Sequence, residues 1–175
     1  MPPITIVFFL TGIAVWANAL YFLGIGADKQ EGGADPLKSV GWISLIAGLS
    51  NFGQAVYIMG ARPLGDPSVL LAGLVIFYAA FFTFLGITEI LGLDLRVLGN
   101  VSAAVAIVPL FYWKFFEGGW MFRSILVVWA VVFSAIAATT YGKLQPKVTG
   151  AMLVGTAVYT FWVPAAILAL GNKIP

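Results

Sequence analysis

An all-α membrane protein with six transmembrane helices in a compact bundle is the fold class this sequence predicts. Three observations predict it. The chain has 175 residues, 61% of them hydrophobic and only 9% charged, with a mean hydropathy of +1.02; a soluble domain runs near 45–50% apolar and about 25% charged. The few charges fall in clusters, and the stretches between them run for about 17–25 residues, the length that crosses a bilayer. Those stretches are continuous apolar runs, not the ten-residue alternation of a membrane barrel. Open strands leave backbone groups unpaired in lipid, so helices are what remains.

The elements follow from where charge disappears. The first span runs from Pro3 to Ala27, and its length and lack of a basic start read as a span and not a signal peptide. A polar loop from Asp28 to Pro36 follows it. The second span covers Ser39 to Gly60, and the link Arg62-Pro63-Leu64-Gly65-Asp66-Pro67 leads to the third, Ser68 to Leu91. A tight turn through Asp94 and Arg96 opens the fourth, Val97 to Trp113. The fifth runs from Trp120 to Tyr141 and the sixth from Val148 to Leu170, giving one six-span domain over 1–175. Six spans put both termini on one side. The odd loops carry Lys29, Lys38, Arg96, Lys143 and Lys147; the terminal side carries Arg62, Lys114, Arg123 and Lys173. That small excess leans toward termini on the outer side of a bacterial cytoplasmic (inner) membrane.

Composition excludes whole classes of function. There is no Cys and no His, so thiolate chemistry, disulfides and the usual metal ligands and neutral-pH switch are absent. The net charge of +2 offers no field for nucleic acid. No catalytic set is visible, and no cofactor or metal is expected. Glu89 and Arg123 are the charged residues within span limits, both near an end. They read as interfacial anchors, or, for Glu89, a helix cap or a partner of Arg96. Proton- or sodium-driven transport usually needs charges deep in the membrane. A passive path for a small neutral solute, or a non-conducting scaffold or assembly subunit, survives. With no histidine and with the loop carboxylates solvated, flux should be flat between about pH 5 and 8, whether Glu89 is desolvated at its span end or caps or pairs there.

Aromatic and polar residues inside the spans supply the candidate site. Tyr78 and Phe82 are four apart in span three, as are Trp129 and Phe133 in span five, so each pair shares a helix face. The pairs either pack between helices or, facing one another, make a flat slot for a planar amide. Asn18, Asn51, Gln54, Thr88, Asn100, Thr156 and Thr160 are polar within spans; such groups bond between helices or line a path. Asn18 and Thr156 are the candidates for a path, because Asn18 offers both a donor and an acceptor. Gly41, Ala47, Gly48, Ser50 and Gly53 permit close helix contact in span two, and oligomerisation is the natural reading of them.

Several segments together resemble the AmiS/UreI family of urea and short-chain amide channels. Gly12 followed by Asn18, Gly48-Leu49-Ser50, the run Gly86-Ile87-Thr88-Glu89-Ile90-Leu91-Gly92-Leu93-Asp94, Trp120 with Trp129-Ala130-Val131-Val132-Phe133, and Thr160-Phe161-Trp162-Val163-Pro164 are similar to that family's motifs in order and spacing. The resemblance implies a six-helix protomer with its own pore, assembled as a homo-hexamer around a lipid-filled centre and serving a cytoplasmic urease or amidase. It places Val15 at a constriction, Tyr78 and Phe82 as pore aromatics of span three, and Trp129, Val132 and Phe133 as pore residues of span five. Thr156 matches a position that is Glu in the acid-gated urea channel and a small hydroxyl residue in amide channels. Phe82 stands for a Tyr, Phe133 for a Trp, and Thr88 and Glu89 depart from an Asn-containing pattern. The external histidines of the acid-gated member have no counterpart here.

Overall fold

The structure, a computed structural model, describes Pro2 and residues 4–175. Among these residues there are helices and no strand. The helices are α1 (Ile4–Leu23), α2 (Pro36–Ala61), α3 (Pro67–Leu91), α4 (Leu95–Ile107), α5 (Trp120–Thr140), α6 (Pro146–Thr156) and α7 (Val163–Ala169). A tight 3₁₀ turn, Val108–Tyr112, extends α4, and a wide π-helical turn, Ala157–Trp162, joins α6 to α7. Six helical segments are thus long and apolar enough to cross a membrane, the fourth being Leu95–Tyr112 and the sixth Pro146–Ala169.

Local chemistry sets the ends, and it moves several of them from where the charges alone put them. The first span was expected to reach Ala27, but α1 stops at Leu23, because Gly24 and Gly26 take φ of 85° and 69°, a region open to glycine. Its expected start at Pro3 lies outside the described residues. The second, fourth and sixth segments begin earlier than expected. Asp35 accepts a hydrogen bond from the Leu37 amide at 2.9 Å and so caps α2, with Pro36 in its first turn. Asp94 caps α4 in the same way through the Arg96 amide. Its carboxylate also takes the Arg96 guanidinium, which holds the Asp94 carboxyl down at about 2. Pro146 opens α6. Gly92, at φ 65°, closes α3 with its amide on the Thr88 carbonyl. The π turn has its cause in Pro164, which has no amide to offer Thr160 and whose ring crowds that carbonyl.

In lipid, burying apolar surface against another helix gains little, since the tails are equally apolar; close packing and interhelical hydrogen bonds hold the bundle. The tightest seam joins α2 to α3. A methyl group built on Gly86 would stand 2.6 Å from the Gly41 carbonyl oxygen, and one on Gly41 would stand 2.9 Å from the Gly86 carbonyl oxygen. One on Gly48 would collide with Thr83. Gly41 and Gly48 therefore serve contact within the chain, which corrects their reading as oligomerisation residues; Gly53, with nothing within 4 Å, faces outward. Gly150 lets α6 approach α1 at Ala19 and Leu23, and Gly12 makes room for Trp162. Trp42, Ile46, Leu49 and Val56 are exposed along one stripe of α2, as a lipid- or subunit-facing side requires.

Candidate functional site

A cavity of about 910 Å³ lies inside the bundle, bordered by residues of all six segments. Its lining reaches both ends of the helices. Ile4, Pro67, Phe122 and Ile174 border it on the side of the termini, and Leu37, Glu89, Leu95 and Pro146 on the side of the odd loops. Among its described lining residues only Glu89 and Lys173 are charged.

The middle of the cavity is aromatic. Trp129 and Tyr78 meet with ring centroids 4.7 Å apart, Tyr78 and Phe133 lie 5.6 Å apart at 30°, and Trp129 stacks on Phe161 at 5.6 Å and 21°. Phe81 meets Phe133 edge-on at 4.9 Å. The ring that faces both Trp129 and Phe133 is thus Tyr78's. Phe82 borders the cavity one turn further along α3, and its ring meets Phe81's, not those of α5. Trp129 is fixed by more than stacking. Its indole N–H donates to the Thr160 hydroxyl at 3.0 Å, and that hydroxyl donates to the Thr156 carbonyl at 2.8 Å. The π turn carries Thr160 and Phe161, so the widened backbone before Pro164 sets the position of Trp129.

All eight residues singled out from the sequence border this one cavity: Val15 and Asn18 on α1, Tyr78 and Phe82 on α3, Trp129, Val132 and Phe133 on α5, and Thr156 on α6. Each is buried. Thr156 turns its hydroxyl to the Met152 carbonyl. Asn18 Nδ2 donates to the Ala14 carbonyl and to Ser44 Oγ, both at 3.0 Å. Deeper in the bundle, Asn51 Nδ2 donates to Thr11 Oγ1 at 2.8 Å, while Asn100 accepts from Tyr141 at the edge of the fold.

Glu89 does not behave as its place near a span end suggested. It is only 4% exposed, it neither caps α3 nor touches Arg96, and the Ser44 hydroxyl donates to its Oε2 at 3.3 Å. Arg96 is engaged by Asp94 instead. Arg123 matches its reading as an anchor, with its guanidinium 5.2 Å from the Trp113 ring centroid and its Nε on the Trp113 carbonyl.

Ser44, Phe81, Phe161 and the structural role of Thr160 were not read from sequence. Ser44 had a visible signal. Gly41, Ser44, Gly48, Asn51, Ala55 and Ile58 recur at helical spacing and are all buried on one face of α2.

The sequence profile described as AmiS/UreI family transporter matches residues 4–172. No curated protein matches the chain in sequence. Two solved structures share its fold. One is the closed state of the Helicobacter pylori urea channel, 18% identical, with 95% of this chain and 97% of that one covered at a TM-score of 0.79. The other is a crystal structure of the urea channel from the same gastric pathogen, 17% identical, with 98% of each chain covered at a TM-score of 0.75. At such identities the likeness establishes fold, and the profile match over nearly the whole length establishes kinship: this multi-pass membrane protein belongs to the AmiS/UreI family of transporters.

Proposed function

We propose that the protein is a passive channel for urea or short-chain aliphatic amides, with a path through each protomer. The observation that carries this reading is the cavity, whose lining extends between the two ends of the bundle and is aromatic and almost uncharged. Physical chemistry then selects the solute. An ion entering an apolar path without a compensating charge gives up several kcal/mol of hydration. A planar neutral amide gives up only hydrogen bonds and regains contact with flat rings. Tyr78, Trp129 and Phe133 form the narrow part, with Val15, Phe82 and Val132 beside them and Asn18 and Thr156 offering polar contact. The family and the urea channels that share the fold support urea, and the small hydroxyl at Thr156 supports amides as well.

No histidine is present, so no imidazole gates the path. We place the protein in the cytoplasmic membrane of a bacterium as a homo-hexamer, termini outward, feeding a cytoplasmic hydrolase that consumes the solute. No catalytic step is assigned to the chain itself.

Uptake of labelled urea into proteoliposomes tests the passive character. The initial rate should exceed that of protein-free vesicles several-fold. The final internal concentration should equal the external one, whether a proton or sodium gradient is imposed or collapsed. Accumulation above equilibrium contradicts a passive path.

A further inference from the structure

We propose that Asn18, Ser44 and Glu89 form an acceptor subsite in the cavity wall, toward the odd-loop end, that takes the NH₂ edge of the solute. This deepens the channel reading and rests on it.

The three residues come from three helices, α1, α2 and α3, and all are buried, at 7%, 0% and 4% exposure. Their mutual bonds decide what is left over. Asn18 Nδ2 spends its two hydrogens on the Ala14 carbonyl and Ser44 Oγ. That fixes the amide's orientation, because the reverse placement would set the Oδ1 acceptor against the Ala14 carbonyl oxygen, another acceptor. Ser44 Oγ accepts from Asn18 and donates to Glu89 Oε2. The hydrogens of Asn18 Nδ2 and Ser44 Oγ are therefore consumed inside the cluster.

Two acceptors remain. Asn18 Oδ1 and Glu89 Oε1 have no protein partner among the described residues, and neither is among the occluded, unpartnered polar atoms of the interior. Both residues border the cavity. No cation touches Glu89: the described ion pairs are Arg62 with Asp66 and Arg96 with Asp94. The cluster thus turns oxygen atoms of Asn18 and Glu89 to the cavity, with no cation among them. Urea and primary amides carry pairs of N–H donors on one planar edge and match it. An inorganic anion finds no cation there to offset its lost hydration.

Gly41 lets this arrangement exist. A methyl group there would stand 2.9 Å from the Glu89 Cβ, so a larger residue would displace the carboxyl from Ser44. Ser44 acts as a positioning residue, holding Glu89 and Asn18 in register.

The test is equilibrium exchange of labelled urea across proteoliposomes at rising urea concentration, which separates the half-saturating concentration from the maximal rate. A binding contact shifts the first; a structural defect lowers the second by leaving fewer working channels. Loss of a hydrogen bond to a carboxyl group should raise the half-saturating concentration about tenfold in Glu89→Leu. Glu89→Gln keeps the size and still accepts from Ser44, so it decides the matter if Glu89→Leu fails to fold; a rise of several-fold is expected, because with its oxygen on Ser44 the amide turns its NH₂, and not an oxygen, to the cavity. Glu89 variants that saturate like the wild type, while wild type carries urea, overturn the subsite alone. A wild type that carries no urea overturns the channel reading, and the subsite with it.

Discussion

Trp129→Ala should lose the channel's discrimination between urea and a bulkier amide, with the flux ratio falling about tenfold or more. Trp129 is the residue on which three constraints converge: the Tyr78 ring at 4.7 Å, the Phe161 ring stacked at 5.6 Å, and the Thr160 hydroxyl holding the indole nitrogen. Truncation removes the largest plane bordering the cavity. A Trp→Ala change in a packed interior costs about 3–5 kcal/mol, so a share of the protein is expected to be lost in extraction. Trp129→Phe separates the effects. It keeps a plane and gives up only the hydrogen bond to Thr160, worth about 0.6 kcal/mol on average between membrane helices, and should retain most of the discrimination. Wild-type flux together with wild-type discrimination in Trp129→Ala would mean that the indole is packing and nothing more.

Gly86→Leu should yield no monodisperse protein at all. The side chain would start 2.6 Å from the Gly41 carbonyl oxygen and 2.8 Å from the Leu45 Cα. These are backbone atoms of a neighbouring helix and cannot swing aside as a flexible side chain would. The α2–α3 seam must open, and with it the packing and hydrogen bonds that hold membrane helices together. Gly53→Leu is the matched control, on the same helix pair but facing open space; it should purify as wild type does if that face meets lipid. Size-exclusion chromatography in mild detergent reads both. A Gly86→Leu protein that elutes as the wild type does would mean that the seam is not needed to hold the bundle.

The sequence carried the six spans because span length is a property of the bilayer, read directly from where charges stop. It carried the inward aromatics of α3 and α5 because residues four apart share a helix face. It carried the ends of the helices poorly. Charge marked Asp35 and Asp94 as loop residues, whereas each starts a helix by accepting a backbone amide, and the Gly24 and Gly26 conformations shortened α1. Glu89 was misread for a related reason: hydropathy counts distance from a span end along one helix, while burial depends on what the neighbouring helix brings. Here α2 brings Gly41 and Ser44, one giving room and the other a hydrogen bond. The pairing of Trp129 with Thr160 was out of reach, since it depends on the widened turn before Pro164 and on a contact 31 residues apart. Gly41 and Gly48 show the limit of a small-residue stripe, which announces a close approach without naming the partner helix.

Conduction of a small planar neutral solute is read by stopped-flow light scattering on size-matched proteoliposomes. Vesicles shrunk by an inward urea or acetamide gradient should reswell several-fold faster with the protein than without it, and the excess should scale with the protein reconstituted. Reswelling at the protein-free rate for both solutes, with folded protein present in the vesicles, would contradict the account and leave a membrane scaffold whose aromatic residues only pack.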